Sequence, residues 1–258
     1  MKLYIKATSS FKANLEEFDV KKELKQNYKR DTRRQDKFIH LALYGALRLK
    51  DVCVINEDDE LYVTSGVGNM DIIQKANEQV KINKEILRPF DFINMLGNTT
   101  SYYVASALGV KSKNIFQISN NFTFINTLIS IYASLNVSKK EAVLGSVDLA
   151  TYPQSLIKRV LGLDNDVEVL SAVNYQKLSL DKNNAVASIE FDVKTYSLEE
   201  VQKILKESKS DVIYSPKNDF FETMSSYYIN VAIDSKKELF YIDHSDDKYK
   251  IVKVSILK

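Results

Sequence analysis

In 258 residues there is one cysteine, no tryptophan, three prolines and seven glycines. A single thiol, Cys53, excludes an internal disulfide framework, and a reducing, cytoplasmic compartment is expected. Its flanks Asp51-Val52 and Val54-Ile55 read as a strand that buries the thiol as a small apolar side chain. An excess of one charge is also lacking, because 36 basic residues face 34 acidic ones. No broad field is therefore available to grip a phosphate backbone or an anionic membrane, and nucleic acid is not an expected partner. No stretch approaches the roughly 18 apolar residues of a membrane span, and Met1 to Ser10 shows no basic region followed by a long apolar core. What the chain does have is 45% hydrophobic residues, ample for a buried core.

Those hydrophobics alternate between two periods. Lys2 to Ala7 predicts a first strand, and the charged run Leu15 to Arg34 an exposed connection with some helix. From Asp36, the positions Phe38, Leu41, Ala42, Gly45, Ala46 and Leu49 recur at helical spacing. The strand Leu61-Tyr62-Val63-Thr64 then enters a turn at Gly66 and Gly68. Met70 to Leu87 reads as a helix closed by Arg88-Pro89, and Thr99 to Leu108 as one stopped by Gly109. Asn114 to Ile118 predicts a strand, Phe122 to Leu135 a buried helix, and Ala142 to Val147 a central strand. Further on come a strand Ala185 to Val193, a helix Ser197 to Ser208 with Ser197 and Glu200 as a capping box, and a strand Asp211 to Tyr214. A helix Phe220 to Ile233 precedes strands Glu238 to Asp243 and Tyr249 to Leu257, joined by the turn Ser245-Asp246-Asp247. The pattern predicts a single α/β unit over 1–258, with two similar halves, 1–150 and 151–258, the second shortened.

Several segments, in order and at compatible spacing, resemble the β-ketoacyl synthase family of the thiolase superfamily. Arg33-Arg34-Gln35-Asp36-Lys37-Phe38 is similar to the family's Arg-Arg-x-Asp-x-Phe lead into its first long helix. Val63 to Gly68 is similar to its glycine-containing strand end. Pro89-Phe90, Asn94-Met95-Leu96-Gly97-Asn98 and Leu108-Gly109 follow in the family's order. Gly145-Ser146-Val147-Asp148 stands where the family has Gly-Gly-Ala-Glu. Counting back from it without a gap places Ile118-Ser119-Asn120-Asn121-Phe122-Thr123 on the nucleophile turn, with Asn120, or Asn121 after a slip of one, where the family carries its cysteine. The resemblance implies a thiolase-like fold, two βαβαβ-type halves in a layered α-β-α-β-α core. It also implies loss of condensation chemistry, because an amide cannot form the acyl thioester.

The family's two catalytic histidines belong, by order, after the strand Asp211 to Tyr214 and at the start of the following helix. Here those places read Ser215-Pro216-Lys217-Asn218 and Phe221-Glu222-Thr223. Only His40, in the first long helix, and His244, before an acidic turn, exist, and His40 reads as a surface or satisfied side chain. Asp148, Lys217, Asp219 and Glu222 read as caps or solvated charges rather than a replacement acid and base. The group Asp243, His244, Asp246 and Asp247 reads as an exposed hairpin turn, so neither metal nor cofactor is expected. The retained scaffold implies a dimer through Asn114, Ile115, Phe116, Gln117 and Ile118, the partner being a ketosynthase subunit or a second copy. Phe122, Phe124, Ile125 and Asn98 are candidates for a pocket or dimer wall, with the two rings plugging an acyl tunnel; a plain core accounts for them equally. The implied role is that of a chain-length-factor-like partner in fatty acid, polyketide or aryl polyene synthesis. The alternative is a stand-alone binder of acyl groups or of an acyl carrier protein. For the latter, Lys21, Lys22, Lys25, Lys29, Arg30, Arg33 and Arg34 are a candidate contact and, equally, a solvated helix face. An acyltransferase of altered chemistry ranks below both.

Overall fold

The computed structural model describes residues 1–119, 121–150, 153–206, 208, 210–215 and 223–257. Strand β1 (Lys2–Ala13) is followed by helices α1 (Val20–Gln26) and α2 (Lys37–Lys50), strand β2 (Glu60–Thr64) and helices α3 (Met70–Asn77), α4 (Pro89–Met95) and α5 (Gly97–Leu108). Strand β3 (Asn114–Gln117), helix α6 (Thr123–Ser138), strand β4 (Ala142–Asp148), helix α7 (Gln154–Leu161) and strand β5 (Ser171–Ser179) come next. The chain ends with β6 (Ala187–Glu190), α8 (Leu198–Leu205), β7 (Asp211–Tyr214), α9 (Thr223–Asp234), β8 (Leu239–Ser245) and β9 (Lys248–Ile256).

The strands form one mixed sheet in the order β3-β2-β4-β5-β1-β6-β9-β8-β7. β2 runs parallel to β3 and β4, whereas β1 lies antiparallel between β5 and β6. One core packs α1, α2 and α5 on the first five strands through Leu24, Phe38, Leu41, Val104 and Val173. A second core gathers Tyr62 and Leu144 from those strands with Tyr241, Val252 and Val254 from β8 and β9, around Phe124, Leu128 and Ile131 of α6 and Ile229 of α9. α8 covers the far side of β8 through Val201, Phe240 and Ile242. Helix and sheet thus alternate in five layers, the α-β-α-β-α core implied by the resemblance, with the two sheet layers continuous through β1 and β6.

Local chemistry explains most boundaries. Asp36 caps α2 by accepting from the Ile39 N–H, and Ser197 with Glu200 forms a reciprocal capping box on α8. Gly109, with φ of 84°, ends α5 in the left-handed conformation that a side chain would resist. Other expectations need correction. Asp51 to Ile55 is no strand: the Val52 and Cys53 N–H groups both donate to Leu49 O, continuing the last turn of α2, and Val52 and Val54 point to solvent. The helix expected to reach Leu87 stops at Asn77, continues as a π turn over Glu78–Ile82, and leaves Ile82 and Ile86 exposed, because no core lies beneath them. β1 runs six residues past Ala7, drawn out by its ladder with β5 through a bulge between Ile5 and Ala7. The strand expected over Ala185 to Val193 keeps only Ala187–Glu190. α7 and β5 are not foreseen in the sequence at all.

β5 fits through two glycines. Its Tyr175 ring lies across Gly145, where a Cβ would come within 2.2 Å of ring atom Cε1, and its Val173 lies against Gly45, where a Cβ would come within 2.4 Å. Gly145→Val should therefore cost about 3 kcal/mol through overpacking. Urea melts of the variant check this, and adding Tyr175→Leu should recover part of the loss.

Candidate functional site

β2 is followed by α3 to α5 on one face of the sheet, whereas β3 is followed by α6 on the other. Where connections part in this way, the carboxyl ends of the strands leave a crevice in which α/β proteins place their sites. Among the described residues, side chains and backbone bridge the ends of β2 and β4 here. The Ser65 hydroxyl donates to Asp148 Oδ1 at 2.6 Å, the Gly66 N–H donates to the same oxygen at 2.9 Å, and the Gly68 N–H donates to Ser65 Oγ at 2.8 Å. Gly68, with φ of 69°, lies against Ile118, whose Cδ1 would be 2.8 Å from any Cβ there.

The turn from β3 into α6 is the segment matched to the nucleophile turn. Thr123 Oγ1 donates to Ser119 O at 2.8 Å, the Ser119 hydroxyl donates to Asn121 O at 3.0 Å, and Asn126 Nδ2 donates to the same carbonyl at 3.2 Å. Asn120 lies outside the described residues. The strained residue at the helix start is Phe122, held at φ of 56° and buried, an uncommon conformation for a bulky side chain. Phe124 and Ile125 are fully enclosed in the core around α6, whereas Asn98 is exposed near the start of α5, its carbonyl accepting from the Ser101 hydroxyl.

The opposite wall comes from the last hairpin. Asp243 on β8 and Lys250 on β9 are cross-strand partners, both buried. The Lys250 ammonium donates to Val193 O at 3.2 Å and lies 5.9 Å from the centre of the Phe122 ring. Burial pushes the Asp243 carboxyl up to about 7, only partly offset by the His244 N–H and by Lys250. Burial also lowers the Lys250 ammonium, against the pull of Asp192 and Asp243. Asp243 Oδ2 meets no hydrogen-bond partner among the described residues. Reading the sequence by families of motif passes over this pair, although the turn announces it: with Ser245 opposite Lys248, counting outward brings Asp243 opposite Lys250.

The groups that condensation chemistry needs lie elsewhere. Cys53 follows α2, on the approach to the amino end of β2, half-buried with its thiol pushed up by burial. His40 is buried near the start of α2, its Nε2 3.3 Å from Thr32 O. His244 stacks on Tyr249, and strand alternation turns it away from Asp243. Pro216, Lys217, Asn218, Asp219, Phe221 and Glu222 lie outside the described residues. Among the described residues no group of three or more His, Cys, Asp or Glu is placed to hold a metal, and no helix is long and apolar enough to cross a membrane. The basic run Lys21 to Arg34 is broken up: Arg30 donates to Ala107 O, Arg33 pairs with Asp31 at 2.8 Å, and Arg34 lies over Phe90.

β3 is the first strand of the sheet, paired with β2 on one side and open on the other among the described residues. Gly97 lies directly on the Phe116 ring, so the start of α5 packs on this strand. Ile118, just after the strand, and Ile86, Phe90, Phe92, Ile93, Leu96 and Tyr102, on the connection from β2 through α4 and α5, are exposed, Ile86 to 92%.

Neither a protein-family model nor a curated protein matches the sequence. Solved structures do. A chain of the ishigamide ketosynthase/chain length factor superposes with a TM-score of 0.76 at 11% identity, covering 100% of each chain. A chain from the complex of the ketosynthase ApeO with its chain length factor ApeC, from Xenorhabdus doucetiae, gives 0.64 at 11% identity over 98% of this chain and 99% of that one. The 3-oxoacyl-(acyl carrier protein) synthase III FabH from Xanthomonas oryzae gives 0.58 at 11% identity, covering 99% of each. At such identities the likeness is one of architecture: the chain has the thiolase-type α/β fold found in ketosynthase and chain length factor structures.

Proposed function

We propose that this protein is a non-catalytic, chain-length-factor-like subunit that pairs with an active ketosynthase through β3. The observation that carries this reading is the open edge of β3, together with the exposed apolar side chains on α4, on α5, which packs on that strand, and on the segment before α4. An edge strand offers a row of backbone donors and acceptors to a second chain, and the apolar side chains supply burial. The other half of the reading, lack of condensation activity, rests on the only cysteine standing before β2 rather than after β3, and on both histidines lying away from the Phe122 turn. The burial of the Phe122 and Phe124 rings beside the turn supports it too. The pathway we favour is one that elongates acyl chains on a carrier protein, as the neighbours' names suggest.

The test is co-expression with the ketosynthase and carrier protein encoded nearby, followed by affinity capture and mass measurement of the assembly. A stoichiometric complex with the ketosynthase is expected. Phe92→Asp with Ile93→Asp, at exposed positions where folding should survive, should weaken it by about 2–4 kcal/mol. A homodimer that ignores the ketosynthase overturns the heteromeric reading. Capture of the acylated carrier protein alone would favour the stand-alone binder.

A further inference from the structure

A cavity of about 560 Å³ opens between the connection from β1 to α1, the start of α2, and α3. It shares no lining residue with the strand-end crevice, and nothing in the proposed pairing uses it. Its volume falls in the range of small-molecule sites. Val20, Ile72 and His40 are buried and form its floor, with Leu15 and Phe18 as further apolar lining.

One ring nitrogen in this floor is an acceptor without a donor among the described residues. A carbonyl can only accept, so the 3.3 Å contact of His40 Nε2 with Thr32 O places the ring hydrogen on Nε2. Burial holds the ring neutral, with a pKa lowered to about 4, which leaves a lone pair on Nδ1. No donor among the described residues meets Nδ1, and His40 faces the cavity with 4% of its surface exposed. The lining is acidic. Glu16, Glu17, Asp19, Asp36 and Asp71 outnumber Lys21, Lys37 and Lys75, and the Lys75 ammonium is already engaged with Asp91 at 3.1 Å. An unmet acceptor beneath an acidic rim, with apolar walls between, selects a donor-rich cation on an apolar stem.

We propose that this cavity binds a small organic ammonium, a protonated primary amine on an apolar stem, with one N–H donating to His40 Nδ1 and the charge beneath the acidic rim. The site is independent of the ketosynthase-pairing reading and stands or falls without it.

The chain's two histidines make the test specific, since ring nitrogen signals of His40 and His244 can be followed together by ¹⁵N NMR. Titration of the full chain with n-hexylammonium chloride should move His40 Nδ1 saturably and leave His244 in place, whereas hexan-1-ol and hexanoate at equal concentration should not. Calorimetric affinity should fall about tenfold in the Glu16→Lys/Glu17→Lys variant, whose changes lie on exposed positions. Filling the floor with Ile72→Trp should abolish the His40 response. Equal responses to hexanol or hexanoate, or an ammonium response that moves His244 alone or survives the rim reversal undiminished, would overturn the assignment.

Discussion

Lys177→Met should cost about 3–5 kcal/mol of folding stability, the largest loss we expect from a single side chain outside the hydrophobic core. Lys177 lies on β5, 5% exposed, with its ammonium 3.0 Å from Asp59 and 2.8 Å from Glu141, and donating to Val54 O at 2.6 Å. Burial alone would lower the ammonium's pKa, but the hydrogen bonds to Glu141 and Asp59 reverse that and raise it. Methionine matches the stem and removes the charge, leaving Asp59, at 2% exposure, without its counter-ion. The cluster also joins the amino ends of β2 and β4 to β5, so loosening there reaches three strands. Urea denaturation at pH 7 measures the effect, and adding Asp59→Asn should restore part of it, because the buried charge is then gone. Since the Lys177 pKa is raised, its contribution is fully present below the ordinary lysine value and is lost as pH climbs through the folded one.

Asp243 should make the protein less stable as pH rises from about 4 to about 7. Its folded pKa stands above the unfolded value, so across that window the unfolded chain binds fewer protons and ionisation favours unfolding. Asp243→Asn keeps the shape and cannot ionise. It should therefore change little at pH 4.5 and stabilise by about 2–4 kcal/mol at pH 8. Denaturation of both proteins at the two pH values decides it; identical pH profiles would show that Lys250 already neutralises the carboxylate.

Much of this architecture was legible because particular residues announce it. Ser197 and Glu200 cap α8, Gly109 ends α5, and the ordered run from Arg33 to Asp148 leads to the layered fold that the structure bears out. β5 was hidden by its polarity. Asn174, Gln176, Lys177 and Ser179 are all buried, and pattern reading assigns such residues to the surface, since their partners come from distant segments: Gln176 donates to Asn230 on α9, and Lys177 reaches Asp59. The absence of a thiol at the turn could be read from the sequence alone, where the one cysteine is Cys53. The bonding of Ser65 and Gly66 to Asp148 could not, because it depends on how the ends of β2 and β4 meet.

The first strand of the chain sits in the middle of the sheet, with Tyr4 opposite Ser179 on one side and Ser188 on the other. Both partners lie more than 170 residues downstream, so β1 leaves the ribosome well before them and must wait before it can pair. Contacts this distant in sequence slow folding, and a waiting strand with both edges bare invites association with other nascent chains. The run Thr8-Ser9-Ser10 followed by Lys12 then takes on a second meaning: polar side chains midway along a central strand make it a poor template for aggregation during the wait.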